Sequence, residues 1–497
     1  MPLEALLDQS RKLIAAGRWR EAKPLLERLA EQPRCERAVL LQLAELELLE
    51  GQAERARERA TALDPERDDE AAFVVARADE ALGRLDAARE RLVALRTRLA
   101  TPSAPLELHL GRVYERLGEP HAALDRWRAA LALQPTLSAA HQHLATLLAQ
   151  LGRLEEAREA LENALAVLPG EARLWILLAQ AQTRLGDAAA ALASLERAAA
   201  AAPLSARAWT EIGHAYAEHW RHQEASDALA RASSLDPGDA QTESLWSLVL
   251  QELGDTPRAL KALERARARQ PEDLRVVVAE RLLLPQIYAD VAELARWRQR
   301  YREGLATLLD ESARWRARAS EVFGLEHHNF FLAYQGEDDR DLQHQYSRFL
   351  GQLTAAAAPE WHAPLARRFD GGRRLRVGFL GALFRDCTAG RYFERWITGL
   401  DPRRFERFVY HTAPLSDHFT QRIASHSEHF APLHLGPREA AARLLADELD
   451  VLIYPEVGMH SLTYLLATLR LAPVQCAGWG HPVTTGSELI DYYFTCA

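Results

Sequence analysis

Apolar residues recur at helical spacing through the first half of the chain, and the pattern itself repeats. One marker position punctuates it at intervals of 32 to 35 residues, and glycine fills seven of its eight occurrences. The marker residues are Gly17, Gly51, Gly83, Gly118, Gly152, Gly186, Trp220 and Gly254. This period is typical of stacked helical hairpins, in which each hairpin covers the apolar stripe of its neighbours.

Two further positions keep step with the marker. An alanine stands five residues after it, at Ala22, Ala56, Ala88, Ala123, Ala157, Ala191, Ala225 and Ala259. A proline stands seventeen residues after the last five markers, at Pro135, Pro169, Pro203, Pro237 and Pro271. Glycine allows a left-handed helix cap, alanine allows close helix approach, and proline ends a helix. The pattern resembles tetratricopeptide repeats, and predicts an all-α superhelical array over residues 1–275 with a groove for a polypeptide.

The 34-residue period lapses after Glu272, while helical spacing continues to about Trp361. A proline-bearing stretch, "TAAAAPEWHAP", then interrupts the helical pattern. We therefore predict a helical adaptor and linker over residues 276–370, without strands. His327 and His328 adjoin Phe330 and Phe331, and we predict that they pack between elements.

Short apolar runs rich in β-formers replace the helical pattern after residue 371. They are "LRVGFLGAL", "FERFVYHTA", "LDVLIYPEVG", "PVQCAGWG" and "IDYYFTC", with helical segments between most of them. Strands that alternate with helices predict a parallel sheet covered on both faces. Ligands of such sheets bind at the carboxyl ends of the strands. The loops of interest are therefore "GALFRDCTAGRYF", "HTAPLSDHF", "PEVGMHS" and "GHPVTTGS".

The charge, the cysteine spacing and the missing motifs argue against several classes of partner and cofactor. The net charge is −9, from 61 basic and 70 acidic residues without long blocks of one sign, so nucleic acid and anionic membranes are not expected partners. No leader-like start and no long uncharged apolar run occurs, which favours a cytoplasmic protein. The four cysteines have no zinc or disulfide spacing, and the patterns G-x-G-x-x-G, G-x-S-x-G and H-E-x-x-H are missing. We expect neither a metal nor a dinucleotide.

Three segments carry a more specific resemblance: "RLRVGFLGALFRDCTAGRYFERWITGLDPRRFERFVYH", "LDVLIYPEVG" and "LRLAPVQCAGWGHPVTTGSELIDYYF". They resemble the first catalytic lobe of the protein O-linked N-acetylglucosamine transferase family, including its SPINDLY-like bacterial relatives and bacterial N-glucosyltransferases. The resemblance implies an inverting transferase of two Rossmann-like lobes, the GT-B fold. Residues 371–497 would form the first, α/β lobe, and the second lobe would bind most of the UDP-sugar donor. No metal is implied.

The resemblance also implies site residues. Gly480, His481, Pro482, Thr484 and Thr485 would form a loop at the cleft, near the sugar and the acceptor. His481 is the candidate catalytic residue for proton handling or acceptor orientation. The alternative is that its ring only hydrogen-bonds and fixes the turn.

A second group of candidate residues follows the first strand. Arg385, Asp386, Thr388 and Gly390 would line the acceptor side of the cleft, although Arg385 and Asp386 could instead simply pair with each other. Many relatives carry a histidine where this chain has Cys387. A thiol is a poorer general base, so that role is not carried over.

Two departures limit the resemblance. Only Asn163 and Asn329 are present, so the asparagine ladder that holds peptides in the O-linked enzymes is not expected. No lysine follows Lys261, and the sequence ends at "DYYFTCA", where relatives continue into the second lobe. The expectation is a chain truncated before its nucleotide-binding lobe, with no cofactor-binding residues and little turnover alone.

The leading hypothesis is a glycosyltransferase that moves a sugar from a UDP-sugar to protein side chains. Its partners would be a protein or peptide acceptor in the repeat groove and the missing C-terminal lobe. The alternative is a non-catalytic repeat adaptor for protein–protein interaction. A third hypothesis, transfer of glucose to asparagine, is suggested by "GHP" followed by "TT".

Overall fold

In a computed structural model, the structure describes residues 9–10, 12–13, 19–30, 37–201, 205–366, 371–413, 416–481 and 483–495. The chain divides into two compact units, Met1–Ala228 and Leu229–Ala497. None of the described helices combines the length and apolar character needed to cross a bilayer.

The first unit is built from antiparallel helical hairpins. Its helices are Trp19–Ala30, Arg37–Leu49, Ala53–Thr61, Asp69–Ala81, Leu85–Arg98, Ala104–Arg116, Pro120–Leu133, Ser138–Gln150, Leu154–Val167, Ala172–Arg184, Ala188–Ala201 and Ala206–Glu218. Helix His222–Leu235 contains the boundary between the units, and helices Ala240–Glu252 and Thr256–Arg269 continue the repeat in the second unit. The predicted helical repeat array is therefore confirmed.

The marker residues end the first helix of each hairpin. At Gly152 the backbone has φ +75°, and the next amide, of Arg153, donates to the carbonyl of Leu148 over 2.9 Å. This is the left-handed cap that glycine permits. The other described marker glycines also have positive φ, as does Trp220 at +60°. The predicted cap is confirmed at the described markers, whereas Gly17 and Pro203 lie outside the described residues.

The alanines that follow the markers are buried between helices of the array. Ala56, Ala88, Ala123, Ala157, Ala191, Ala225 and Ala259 are all 0% exposed. A larger side chain at these positions would separate the helices, because a packed interior has no room for added methylene groups.

The segment that we call the connector, residues 276–370, follows the array. Its helices, including the one that enters it, are Leu274–Leu282, Val291–Asp310, Ser312–Arg316 and Arg340–Ala357, with 3₁₀ turns at Ala319–Gly324, Phe330–Gln335 and Pro359–Trp361. No strand occurs in its described residues, as predicted.

The rest of the second unit contains a parallel sheet of six strands: β1 Leu375–Gly381, β2 Phe405–His411, β3 His429–Pro432, β4 Val451–Tyr454, β5 Val474–Ala477 and β6 Tyr492–Tyr493. Their order is β3-β2-β1-β4-β5-β6, with parallel pairing throughout. Helices Thr388–Thr398, His418–Ser425, Pro437–Ala446 and Ser461–Leu466 connect them. The predicted Rossmann-like α/β fold is confirmed, except that the sequence analysis missed β3.

Alternate residues of the strands face two different cores. Val377 and Phe379 of β1 pack with helices Thr388–Thr398 and His418–Ser425. Leu380 of β1 belongs to a second cluster, which joins Leu452 and Tyr454 of β4 to connector residues such as Tyr346. The connector thus helps to cover one face of the sheet.

Candidate functional site

The strand order reverses between β1 and β4, and this is the switch point at which parallel α/β sheets form ligand crevices. Three loops start at the carboxyl ends of the strands there. They are residues 382–387 after β1, residues 455–460 after β4, and the segment after β5 that we call the site loop, residues 478–487.

The loop after β1 ends in a helix cap. Cys387 is the N-cap of helix Thr388–Thr398, and its Sγ accepts a hydrogen bond from the amide of Gly390 over 3.4 Å. Thr388 and Gly390 were predicted to lie in the loop, but both lie in the first turn of this helix. A side chain at Gly390 would lie 2.1 Å from the carbonyl oxygen of Arg385. Gly390 is thus required for close backbone approach.

Asp386 does not pair with Arg385. Its carboxylate accepts a hydrogen bond from Arg391 over 2.8 Å, and its own amide donates to Asp417 over 2.7 Å. The alternative prediction of an Arg385–Asp386 pair is therefore wrong. Arg385 is half-buried and has no ion-pair partner among the described side chains.

The site loop crosses the ends of β4 and β5 at short distances. The amide of Gly480 donates to the carbonyl of Pro455 over 3.0 Å. A Cβ at Gly480 would lie 2.6 Å from that same carbonyl oxygen and 3.0 Å from the Cβ of Glu456. Only glycine therefore allows the loop to pass this close to the end of β4. Pro482 lies outside the described residues.

Thr484 and Thr485 also belong to the site loop. They line a cavity of about 440 Å³ together with Ser487, Ile490, Asp491, Tyr492 and Tyr493. The hydroxyl of Thr484 accepts from the amide of Gly486 over 3.3 Å, and that of Thr485 accepts from the amide of Ser487 over 3.2 Å. Both threonines therefore stabilise turns of the loop as well as lining the cavity.

His481 is deeply buried. Its side chain is 2% exposed, and neither ring nitrogen makes a hydrogen bond to a described residue. The ring of Phe330 stacks on it with centroids 5.7 Å apart. Burial lowers the pKa of His481 to about 4, although the nearby backbone of Val457 opposes this shift. The imidazole is therefore neutral at pH 7.

Two more histidines lie near this one: His328 acts on His481, and His460 acts on His328. Burial lowers the pKa of His328, and the charge of His460 would lower it further. His328 in turn disfavours the charged form of His481. The Nδ1 atom of His328 has no partner among the described residues. All three rings are therefore kept neutral near the strand ends.

Glu456 is the residue that the sequence analysis missed. It lies two residues after β4, is 1% exposed, and accepts a hydrogen bond at Oε1 from the amide of Ala382 over 2.8 Å. Its Oε2 atom has no partner among the described residues. Burial raises the pKa of Glu456 to about 8, so the group is a neutral acid at pH 7.

Space for this carboxyl comes from a glycine on the neighbouring strand. A Cβ at Gly381 would lie 2.9 Å from Oε2 and 3.0 Å from Oε1 of Glu456. The one available signal in the sequence was an acidic residue in "PEVGMHS", a loop already expected at a strand end. Sequence alone does not show that this acid is buried without a cation.

No group of three or more histidine, cysteine, aspartate or glutamate side chains in the described part of the chain is arranged to hold a metal ion. The buried polar atoms at the strand ends, such as the ring nitrogens of His481 and the carboxyl oxygens of Glu456, therefore form no metal-binding cluster with one another. Buried polar atoms without partners and strongly shifted pKa values occur more often at functional sites than elsewhere.

Comparisons with known proteins agree with this picture in part. Two tetratricopeptide repeat families match residues 138–181 and 176–240. A UDP-N-acetylglucosamine–peptide N-acetylglucosaminyltransferase of Caenorhabditis elegans is 30% identical over 131 residues, which is 25% of this chain and 11% of that protein. A probable enzyme of the same name from Arabidopsis thaliana is 27% identical over 131 residues, 26% of this chain and 13% of that protein.

Two solved structures align with parts of this chain. A mutant O-GlcNAc transferase of Thermobaculum terrenum aligns with 65% of this chain and 53% of its own, at 22% identity and a TM-score of 0.44. YrrB, described as a repeat protein with an unusual peptide-binding site, aligns with 39% of this chain and all of its own, at 21% identity and a TM-score of 0.30.

These comparisons confirm the predicted resemblance to the O-linked N-acetylglucosamine transferase family as a partial similarity. The chain contains tetratricopeptide repeats and is similar, over about a quarter of its length, to O-linked N-acetylglucosamine transferases. The chain spans only about a tenth of the length of the curated relatives that it matches.

Proposed function

We propose that this chain is a protein glycosyltransferase of the O-linked N-acetylglucosamine transferase type, in which the strand-end site handles the acceptor side of transfer from a UDP-sugar. One observation carries the proposal. His481 and Glu456 are both buried at the switch point, and burial shifts their pKa values in opposite directions, so that both are neutral at pH 7. Two titratable groups whose environments push their pKa values apart are candidates for the acid and the base of a reaction. The partial similarity to two peptide N-acetylglucosaminyltransferases supports the same reaction class.

The proposed step is a single displacement. The acceptor atom, a hydroxyl oxygen or an amide nitrogen, bonds to the anomeric carbon while the bond from that carbon to the diphosphate breaks. The electron pair leaves with the diphosphate, and the proton of the acceptor passes to the neutral imidazole of His481. The protonated Glu456 donates a hydrogen bond from Oε2 to an oxygen in the site.

The other predicted residues would shape the cleft. Arg385, Asp386 and the helix start at Thr388 and Gly390 form one wall, and Gly480, Pro482, Thr484 and Thr485 belong to the facing site loop. We propose the three-part division at residues 275 and 370, with the repeat array presenting a protein or peptide acceptor. The UDP-sugar is a substrate, and we assign no metal and no cofactor-binding residue to this chain.

The experiment is intact-mass measurement of acceptor peptides after prolonged incubation with the full chain and UDP-N-acetylglucosamine or UDP-glucose. Peptides with serine and threonine, and peptides with asparagine, distinguish the two acceptor chemistries. A mass gain of one sugar is expected with the wild type and with His434→Ala, which changes an exposed histidine of the same lobe. His481→Ala is expected to abolish the gain in a chain that still folds, as a cooperative thermal melt would show, although loss of the buried ring lowers the midpoint of that melt. No gain with any donor contradicts the proposal.

The second candidate is a repeat adaptor without catalysis. The tetratricopeptide repeats favour it, because such arrays generally bind other proteins. Peptide binding by the chain, without a mass gain from either donor, would support this candidate over transfer.

A further inference from the structure

A buried polar network joins the connector to the site loop. Gln343, on connector helix Arg340–Ala357, is 0% exposed, and its Oε1 accepts a hydrogen bond from Asn329 over 3.0 Å. The hydroxyl of Tyr464 lies 3.0 Å from the same oxygen and 2.9 Å from the carbonyl oxygen of Thr485. Tyr464 therefore connects a connector side chain with the backbone of the site loop.

The network continues deeper into the connector. The hydroxyl of Tyr301 donates to Oδ1 of Asn329 over 2.6 Å, and Nε2 of His327 lies 3.2 Å from the same oxygen. Tyr301 is 0% exposed and Asn329 is 1% exposed. These hydrogen bonds favour one local arrangement, because breaking any of them leaves a further buried donor or acceptor unpaired beside the Nε2 of Gln343, which has no partner among the described residues.

The site loop also presses directly on the connector helix. Gly486 has φ +66°, and a Cβ there would lie 2.3 Å from the carbonyl carbon of Gln343 and 2.6 Å from the amide nitrogen of His344. The loop backbone is therefore in contact with the helix backbone, and a shift of one moves the other.

A second contact reaches the histidine itself. Phe330, in the 3₁₀ turn Phe330–Gln335, stacks on the ring of His481 at an interplanar angle of 29°. Asn329, the preceding residue, is the network member that donates to Gln343. The same stretch of connector thus covers the histidine and takes part in the network.

We propose that Gln343 and Tyr464 are positioning residues of the candidate site: they hold the backbone at Thr485 against the connector and so keep His481, four residues earlier, under Phe330. The connector then helps to position the residues of the site, and it does not only link the array to the lobe. Only the consequence for sugar transfer rests on the proposed function, and the positioning itself is independent of it.

The test compares two buried tyrosines that pack against each other with ring centroids 5.3 Å apart. Tyr464→Phe removes the hydroxyl that reaches Thr485. Tyr346→Phe is the matched control, because its hydroxyl donates instead to the carbonyl of His327 over 3.2 Å. Hydrogen exchange of the amides at Thr485–Ser487 and NMR titration of the His481 ring are measured in the full chain.

For Tyr464→Phe, amide exchange in the site loop is expected to quicken roughly tenfold, as for the loss of one buried hydrogen bond. The pKa of His481 is expected to rise from its depressed value towards about 6.5, as the ring becomes hydrated. Tyr346→Phe should change neither quantity. If Tyr464→Phe does not fold, Gln343→Met, which removes the shared acceptor at similar length, is measured instead with the same expectation.

Unchanged exchange and an unchanged His481 titration in the variant would overturn the proposal, as would equal changes in the control. If the chain transfers sugar, Tyr464→Phe should lower kcat more than it raises KM. If the wild type transfers no sugar, the proposed function fails while the exchange and titration results still decide the positioning role.

Discussion

Glycines of the repeat array and glycines at the strand ends meet different physical demands. Gly51, Gly152 and Gly254 have φ between +73° and +77°, and a Cβ built on any of them would meet nothing within 4 Å. At Gly390 and Gly480, which do not have positive φ, a Cβ would lie 2.1 Å and 2.6 Å from backbone oxygens. The array uses glycine for its conformation, and the site uses it for its small size.

The buried acids of the two regions also differ, in whether a cation pairs with them. Glu47 in the array is 3% exposed and pairs with Arg59 over 2.7 Å. Glu456 is 1% exposed, it has no ion-pair partner among the described residues, and its Oε1 accepts a hydrogen bond from the backbone amide of Ala382. A buried acid that pairs with a cation serves the fold, whereas one without a cation is held neutral and stays available for a ligand.

The largest expected effect tests the difference between the acids. The folded protein raises the pKa of Glu456 to about 8, so it binds a proton that the unfolded chain releases above about 4.5. The binding of this proton stabilises the folded protein relative to the unfolded chain. The resulting contribution to the free energy of unfolding is fully present below about pH 4.5 and is lost as the pH rises to about 8. The loss is at most about 5 kcal/mol, since one pKa unit corresponds to about 1.4 kcal/mol.

The measurement is urea denaturation of the wild type and of Glu456→Gln between about pH 4 and about pH 8.5, values that bracket the expected window. The stability of the wild type should fall relative to that of Glu456→Gln as the pH rises. A constant difference across this range would contradict a raised pKa in the folded protein.

The next effect concerns size. Gly480→Ala should destabilise the second unit by about 3 kcal/mol, because overpacking against backbone forces a shift of the loop. Gly351→Ala is the control in the same unit, since a Cβ there meets nothing within 4 Å. It should be neutral or slightly stabilising in a helix. Thermal melts compare the two, and equal midpoints would contradict the steric role of Gly480.

A smaller effect concerns conformation. Gly152→Ala should cost about 1 to 2 kcal/mol because of its left-handed backbone, and Gly152→Asn should cost less. Gly170→Ala is the control in the array, since Gly170 has neither positive φ nor a close neighbour. Denaturant titration measures all three. An equal cost for Ala and Asn at Gly152 would point to crowding instead.

The smallest expected effect is a gain. Trp220 occupies a marker position at φ +60°, is 79% exposed, and has an edge-on ring contact with His222. Trp220→Gly should stabilise the array by about 1 kcal/mol, because it removes the left-handed strain of a bulky residue. A lower melting temperature would show that the ring contact outweighs the strain.

The features of the fold that depend on nearby residues in the chain, namely the hairpins and most of the strands, could be predicted from the sequence. Marker glycines, small alanines and prolines fixed the hairpins, and the apolar runs located five of the six strands. It missed β3, because His429–Pro432 is short, partly exposed and has no apolar run.

The candidate site was predictable only in outline. The resemblance pointed to His481, but not to its burial under Phe330. Glu456 was missed because the absence of a neighbouring cation depends on residues far apart in the chain. Thr388 and Gly390 were placed in a loop because the Sγ of Cys387 was not recognised as a helix cap.

One sheet face of the second unit shares its core with residues from Leu274 to Ala358, far upstream of the first strand. Recombination that moved the sheet alone to another protein would therefore leave the apolar residues on one of its faces exposed. The helices before it and the sheet after it are expected to be inherited as one block, while whole hairpins upstream can be gained or lost.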